Sequence, residues 1–131
     1  MLRWTALATV LAVLVYFSTT VLVSRARVKY GVAPPATTGN PDFERIFRVQ
    51  MNTLEWMPIL LPLLWLAGYF VSDIGAAVLG LVWSAGRVGY IVGYSKAVKS
   101  RALGFGIQAI ACFALLLGAL GGIVATFVHI G

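Results

Sequence analysis

The side chains that could do chemistry in this 131-residue chain stand in two short runs. The first is Asp42-Phe43-Glu44-Arg45-Ile46-Phe47-Arg48-Val49-Gln50-Met51-Asn52-Thr53-Leu54-Glu55. On a helix, Arg45, Arg48, Asn52 and Glu55 fall within an arc of about 80°, and Gln50 points elsewhere. Glu55 lies two turns beyond Arg48, roughly 10 Å further along the axis. In the second run, Arg87, Tyr90 and Tyr94 share one helical face. Guanidinium forks suit carboxylates, and a lone glutamate suits an ammonium group. The combination fits a ligand with several negative charges and one positive charge. A structural explanation competes with it: Glu55 and Arg87 pair between neighbouring helices, and Asn52 and the tyrosine hydroxyls complete the network. The surplus of donors over one glutamate favours the ligand. Cys112 and His129 are the only residues of their types. They are too few for a disulfide framework or a metal site, so no metal is expected. Cys112 reads as packing and His129 as solvated.

Those two runs must be positioned by apolar elements. Sixty per cent of the chain is apolar and 11% is charged, against about 25% charged in ordinary soluble domains. Such a chain cannot cover its own surface with polar groups, so lipid must supply part of its solvent. The net charge of +6 does not indicate nucleic acid as a partner, because the basic residues bracket apolar segments instead of clustering. Trp4 to Ser24 and Trp56 to Ser72 carry no charge, Ile74 to Ser95 is interrupted only by Arg87, and Ala102 to Gly131 has His129 as its only basic side chain and no acidic one. A spanning helix needs about 20 mainly apolar residues, and its backbone must satisfy its own hydrogen bonds. The expectation is an all-α integral membrane protein, one domain over 1–131. Its four helices form an antiparallel bundle with spans of about 2–29, 41–70, 73–96 and 100–130. The first block is too long for a signal-peptide core and has no small-x-small site before Arg25, so it reads as a retained span.

Punctuation places the connections. Asn40-Pro41-Asp42 reads as a helix start, with Asn as cap and Pro at the first position. Ser72-Asp73 reads as a tight turn that caps the third helix. A single helix from Ile74 to Gly131 would run about 87 Å, so the chain must reverse, and 95–101 is the polar place to do so. Arg25, Arg27, Lys29, Arg45, Lys96, Lys99 and Arg101 gather in loops one and three. The positive-inside rule puts those loops in the cytoplasm and both termini outside. Gly89-x-x-x-Gly93 and Gly118-x-x-x-Gly122 offer close helix contacts.

The run from Pro34-Pro35-Ala36-Thr37-Thr38-Gly39-Asn40-Pro41 through Asn52-Thr53-Leu54-Glu55 resembles the signature of the MAPEG family, membrane-associated proteins in eicosanoid and glutathione metabolism. Gly86-Arg87-Val88-Gly89-Tyr90-Ile91-Val92-Gly93-Tyr94 resembles the family's second signature. The likeness extends over essentially the whole chain. Gln50 and Asn52-Thr53-Leu54-Glu55 are similar to the branch that holds leukotriene C4 synthase and microsomal glutathione transferases 2 and 3. The resemblance implies a homotrimer in a bacterial inner membrane or the endoplasmic reticulum, with glutathione as co-substrate between neighbouring subunits. The second substrate would be a lipophilic electrophile or lipid hydroperoxide taken from membrane lipid. The resemblance also implies that Arg27, Arg48, Gln50, Asn52, Glu55, Arg87, Tyr90 and Tyr94 line the glutathione site. The arginines Arg27, Arg48 and Arg87 would lie near the peptide's carboxylates and Glu55 near its amino group.

Arg101 matches the arginine that holds the thiol as thiolate in the catalytic relatives. A free thiol with a pKa of about 8.5 is only slightly ionised at neutral pH, and a guanidinium beside the sulfur favours the anion. The five-lipoxygenase-activating protein lacks this arginine, and a non-catalytic lipid-binding scaffold of that type is the alternative. Trp56 stands where leukotriene C4 synthase has Tyr, and Val28 where it has a second Arg. These departures weaken a leukotriene-specific reading. They leave intact a general transferase, with reduction of lipid hydroperoxides by glutathione as a side activity.

Overall fold

A computed structural model describes residues 1–96 and 101–130, with the side chain of residue 130 excepted. The chain forms α1 (Arg3–Tyr30), α2 (Pro41–Phe70), α3 (Asp73–Lys96) and α4 (Ala102–Ile130). No strand occurs among the described residues. All four helices are long and apolar enough to cross a membrane. The reversal expected within 95–101 runs through residues outside those described.

The helix ends follow local chemistry. The Asn40 side chain accepts from the backbone N–H of Asp42 at 2.9 Å and of Phe43 at 3.1 Å. Pro41 occupies the first turn of α2, and Asp42 and Glu44 complement its positive dipole end. Two prolines, Pro58 and Pro62, lie inside α2, which continues through both. Gly31 closes α1 with φ 68, the left-handed conformation that a glycine adopts without steric cost. Between α2 and α3 the capping work is divided. Ser72 Oγ accepts from the Gly75 N–H at 3.0 Å and caps α3. The Asp73 carboxylate instead accepts from the N–H groups of Thr5 at 2.8 Å and Trp4 at 3.2 Å. It therefore caps α1, which has no side-chain cap of its own, and fastens the first helix to the third.

In the bundle, α2 and α3 pack on each other and on α1, and both also pack on α4. The outer helices α1 and α4 scarcely meet, so α2 and α3 form the short diagonal of the bundle. Trp83, Leu60, Leu64 and Leu115 are fully buried at the centre, with Ala8, Ala12, Ala76 and Ala111 letting the backbones approach. Burial runs opposite to a water-soluble bundle. The most apolar stretches of α1 and α4 are 22% buried, against 50% for the more polar α3. Phe17, Ile110 and Phe127 stand out from the surface. Exposed apolar helices around a more polar interior are what a hydrocarbon solvent selects.

The closest backbone approach joins α3 to α4. A Cβ on Gly104 would overlap Tyr90 N and lie 2.6 Å from Gly86 O, and one on Gly86 would lie 2.7 Å from Gln108 N. Of the glycines expected to make contacts, Gly122 is closely approached, since a Cβ there would lie 2.9 Å from Phe70 O, Gly89 would gain only an ordinary contact, and Gly118 faces open space. The Gly86–Gly104 crossing, which residue spacing did not single out, sets the start of α4 against the Tyr90–Tyr94 face of α3.

Candidate functional site

Where α2 and α4 begin and α3 ends, a cleft of about 480 Å³ opens at the bundle end. Arg48 and Asn52 line it from α2, and Tyr90 and Tyr94 from α3. Arg101, Ala102, Phe105 and Gly106 close the α4 side. Arg48, Asn52, Tyr90, Tyr94 and Arg101 are thus brought together from three separate stretches of chain. Four groups stack in a column. The Arg101 guanidinium lies 5.4 Å from the Tyr94 ring centre. The Tyr94 and Tyr90 rings stack at 5.5 Å with 13° between their planes, and the Arg87 guanidinium lies 4.1 Å from the Tyr90 ring. The electron-rich ring faces attract both cations.

Arg87 is fully buried behind this wall. Its Nε donates to Thr53 Oγ1 at 3.1 Å, and its Nη2 donates to Asn52 Oδ1. Thr53 Oγ1 in turn donates to Val49 O at 2.7 Å. Arg87 therefore orients one cleft residue by hydrogen bonding and another by stacking. Among the described residues no carboxylate pairs with it. The structural alternative of a Glu55–Arg87 pair is not what forms. Glu55 binds Arg48 on its own helix, at 2.9 Å and 3.3 Å, with both side chains about half exposed. An exposed pair contributes about 1 kcal/mol or less, so Arg48 can exchange Glu55 for another anion at low cost.

The remaining expected residues stand apart from the cleft within this single chain. Arg27 Nη1 donates to Val32 O at 3.2 Å and Ala36 O at 2.8 Å, and its guanidinium lies over Phe43. There it closes the first loop. Gln50 is half-buried and is not among the lining residues. Arg45, which shares the helical arc of Arg48, is held by Asp42 at 2.9 Å and by Ser95 O at 3.3 Å. Cys112 is a buried free thiol, and His129 is exposed. Among the described residues no group of His, Cys, Asp or Glu side chains stands together as a metal site.

Sequence reasoning missed Thr53, Ala102, Phe105 and Gly106. Phe105 carried a signal, since it follows Arg101 by one turn and must share its face. It packs edge-on against Trp56 with ring centres 5.7 Å apart. Ala102 and Gly106 carried none. Gln108 was also passed over. It is a fully buried amide in an otherwise apolar span, the type of residue that rarely enters a membrane without a role.

The MAPEG family model matches residues 5–121. A protein of Synechocystis sp. described as uncharacterized is 49% identical over 119 residues, covering 91% of this chain and 87% of its own. Human microsomal glutathione S-transferase 2 is 49% identical over 100 residues, 76% of this chain and 68% of its own. Bovine leukotriene C4 synthase is 40% identical over 124 residues, 93% and 81% of the two chains. A family match over nearly the whole chain, and relatives this similar over most of it, make the chain a member of the MAPEG family.

Proposed function

We propose that the protein is a membrane-embedded glutathione transferase acting on lipophilic electrophiles. One observation carries the reading: Arg48 and Arg101 flank a cleft of ligand size in which the guanidinium groups outnumber the one carboxylate beside them. That excess of positive charge needs an anionic ligand. Glutathione supplies two carboxylates, one ammonium group and a thiol, and the names of the chain's relatives point to the same molecule. Arg48 takes a carboxylate of the peptide, and Glu55, released from Arg48, takes its ammonium group. Asn52, Tyr90 and the buried Arg87 behind them shape the wall. Arg101 holds the sulfur.

The chemistry is a thiolate attack. Glutathione loses its thiol proton to water, and the Arg101 guanidinium stabilises the anion that remains. Lowering a thiol pKa by about 2 units corresponds to roughly 2.7 kcal/mol of charge stabilisation. The sulfur lone pair then forms a C–S bond to the electrophilic carbon. The bond from that carbon to its leaving group breaks, and the leaving group departs with the electron pair. In a hydroperoxide side activity, two glutathione molecules reduce one hydroperoxide to an alcohol and water and leave as the disulfide. The apolar faces of α1 and α4 put the site beside a lipid reservoir of such substrates.

Arg27 and Gln50 enter the same reading through a homotrimer, in which a neighbouring copy presents them to the cleft. Loops one and three lie in the cytoplasm, where glutathione is abundant, of a bacterial inner membrane or the endoplasmic reticulum. The test is conjugation of glutathione to a lipophilic aryl halide by the purified protein in liposomes. Turnover supports the transferase. Glutathione binding without turnover would support a lipid-binding scaffold instead.

A further inference from the structure

On the side of α3 away from the cleft, α1 and α3 leave an apolar groove between them. Val88 and Val92 line it, on the opposite face of α3 from Tyr90 and Tyr94. Leu14, Phe17 and Val21 form its α1 wall, around a hollow of about 480 Å³. A second hollow of about 370 Å³ shares Leu14, Ser18 and Val88 with the first and continues past Ser84 and Ala85. These small side chains leave the space between the helices unfilled. Both helices start at the Thr5–Asp73 contact and run toward the Arg101 end of the bundle. Equal rises from that contact put Lys96 level with Val28, between Arg25 and Lys29. Leu14, Ser18, Leu22, Arg25 and Lys29 follow one another at helical spacing, so both cations extend the α1 wall beyond its apolar part. Val88, Val92 and Lys96 do the same on α3. Arg25, Lys29 and Lys96 are all exposed.

The groove therefore has apolar walls and a basic mouth. The chain has four acidic residues, and none serves that mouth. Asp42 binds Arg45, Glu55 binds Arg48, Glu44 accepts from the Gly39 N–H, and Asp73 caps α1 at the far end. The complementary molecule is one with an apolar chain in the bilayer and negative charge at its surface. Basic pockets between spanning helices bind anionic lipid head groups by this logic. We propose that the groove binds an anionic phospholipid, with one acyl chain along Leu14, Ser18 and Val88 and the phosphate among Arg25, Lys29 and Lys96. A zwitterionic lipid wets the same apolar walls, but its ammonium group meets the basic mouth unfavourably. The site does not depend on the glutathione reading.

The test uses the full chain in detergent micelles holding equal amounts of phosphatidylglycerol and phosphatidylcholine with identical acyl chains. Native mass spectrometry counts the lipid each variant retains. The wild type retains phosphatidylglycerol about tenfold over phosphatidylcholine, and replacing Arg25, Lys29 and Lys96 together by Gln brings the ratio within about twofold. Ser18→Phe, at an exposed position, fills the groove with the mouth charges intact. It lowers phosphatidylglycerol retention to the level of phosphatidylcholine, whereas Ser18→Ala leaves it unchanged. Equal retention of both lipids by the wild type, or a preference that survives the triple replacement, overturns the head-group site. Undiminished phosphatidylglycerol in Ser18→Phe overturns the groove and leaves only attraction of anionic lipid to a basic bundle end. A changed oligomeric mass in Ser18→Phe with lipid retention unchanged overturns it in favour of a second copy of the chain on that face.

Discussion

At one end of the bundle Asp73 faces the start of α1, and at the other Arg101 faces the Tyr94 ring. Each charge borders a cleft, of about 440 Å³ at the Asp73 end and about 480 Å³ at the Arg101 end. Size does not distinguish them, but the state of their charges does. Each oxygen of Asp73 accepts from a backbone N–H of α1, so the carboxylate serves to fasten two helices. At the opposite end, among the described residues, Arg48 is held by an exposed glutamate and Arg101 by a ring face. Both guanidinium groups line the cleft. Buried Arg87 adds a further positive charge without a carboxylate partner among the described residues. A charge whose partners are filled holds the fold together, and a charge in excess of its partners makes a site.

This contrast can be broken at either end. The largest structural effect is expected from Gly104→Ala, which forces a methyl group into the α3 backbone at Tyr90 and Gly86. It should cost about 3 kcal/mol and separate Arg101 from the tyrosines, read as a lower Tm in detergent together with lost activity. Arg101→Ala should split those two readouts. The side chain is exposed, so Tm should hold while kcat/KM falls about 100-fold, the loss of roughly 2.7 kcal/mol of transition-state stabilisation. At the other end the split reverses. Asp73→Asn should lower Tm through the weakened α1 cap and leave kcat/KM within about twofold. Glu55→Gln should cost about 0.5 kcal/mol or less for an exposed pair, measured by thermal denaturation without ligand. Its glutathione KM should still rise, because the ammonium group loses its partner. Equal loss of activity from Asp73→Asn and Arg101→Ala would remove the contrast.

The four helices were legible because their determinants are local. Asn40-Pro41-Asp42 specifies the start of α2, and uncharged stretches of membrane length specify the spans. The grouping of residues along the candidate cleft was legible for a related reason. Arg48 and Asn52, and Tyr90 and Tyr94, recur at helical spacing, so each pair had to share a face. What depends on tertiary contact was not legible. Helix periodicity cannot tell whether Glu55 reaches across to Arg87 or back to Arg48, since both lie within its reach. Nor can it show that Gly104, instead of Gly118, meets another backbone, or that Asp73 caps α1 and not its own helix. Arg27 carried the right chemistry for an anion site, yet within one chain the nearby carbonyls of Val32 and Ala36 take its donors.

The central claim is that Arg101 converts the cleft from an anion site into a place where a thiol ionises. The direct measurement is the ultraviolet absorbance of thiolate when glutathione is added at neutral pH, with wild type and Arg101→Ala compared at matched occupancy. A thiolate signal in the wild type that disappears in Arg101→Ala, with glutathione still bound, is the predicted result. Glutathione bound by the wild type with no thiolate signal, or a signal that survives in Arg101→Ala, would contradict it.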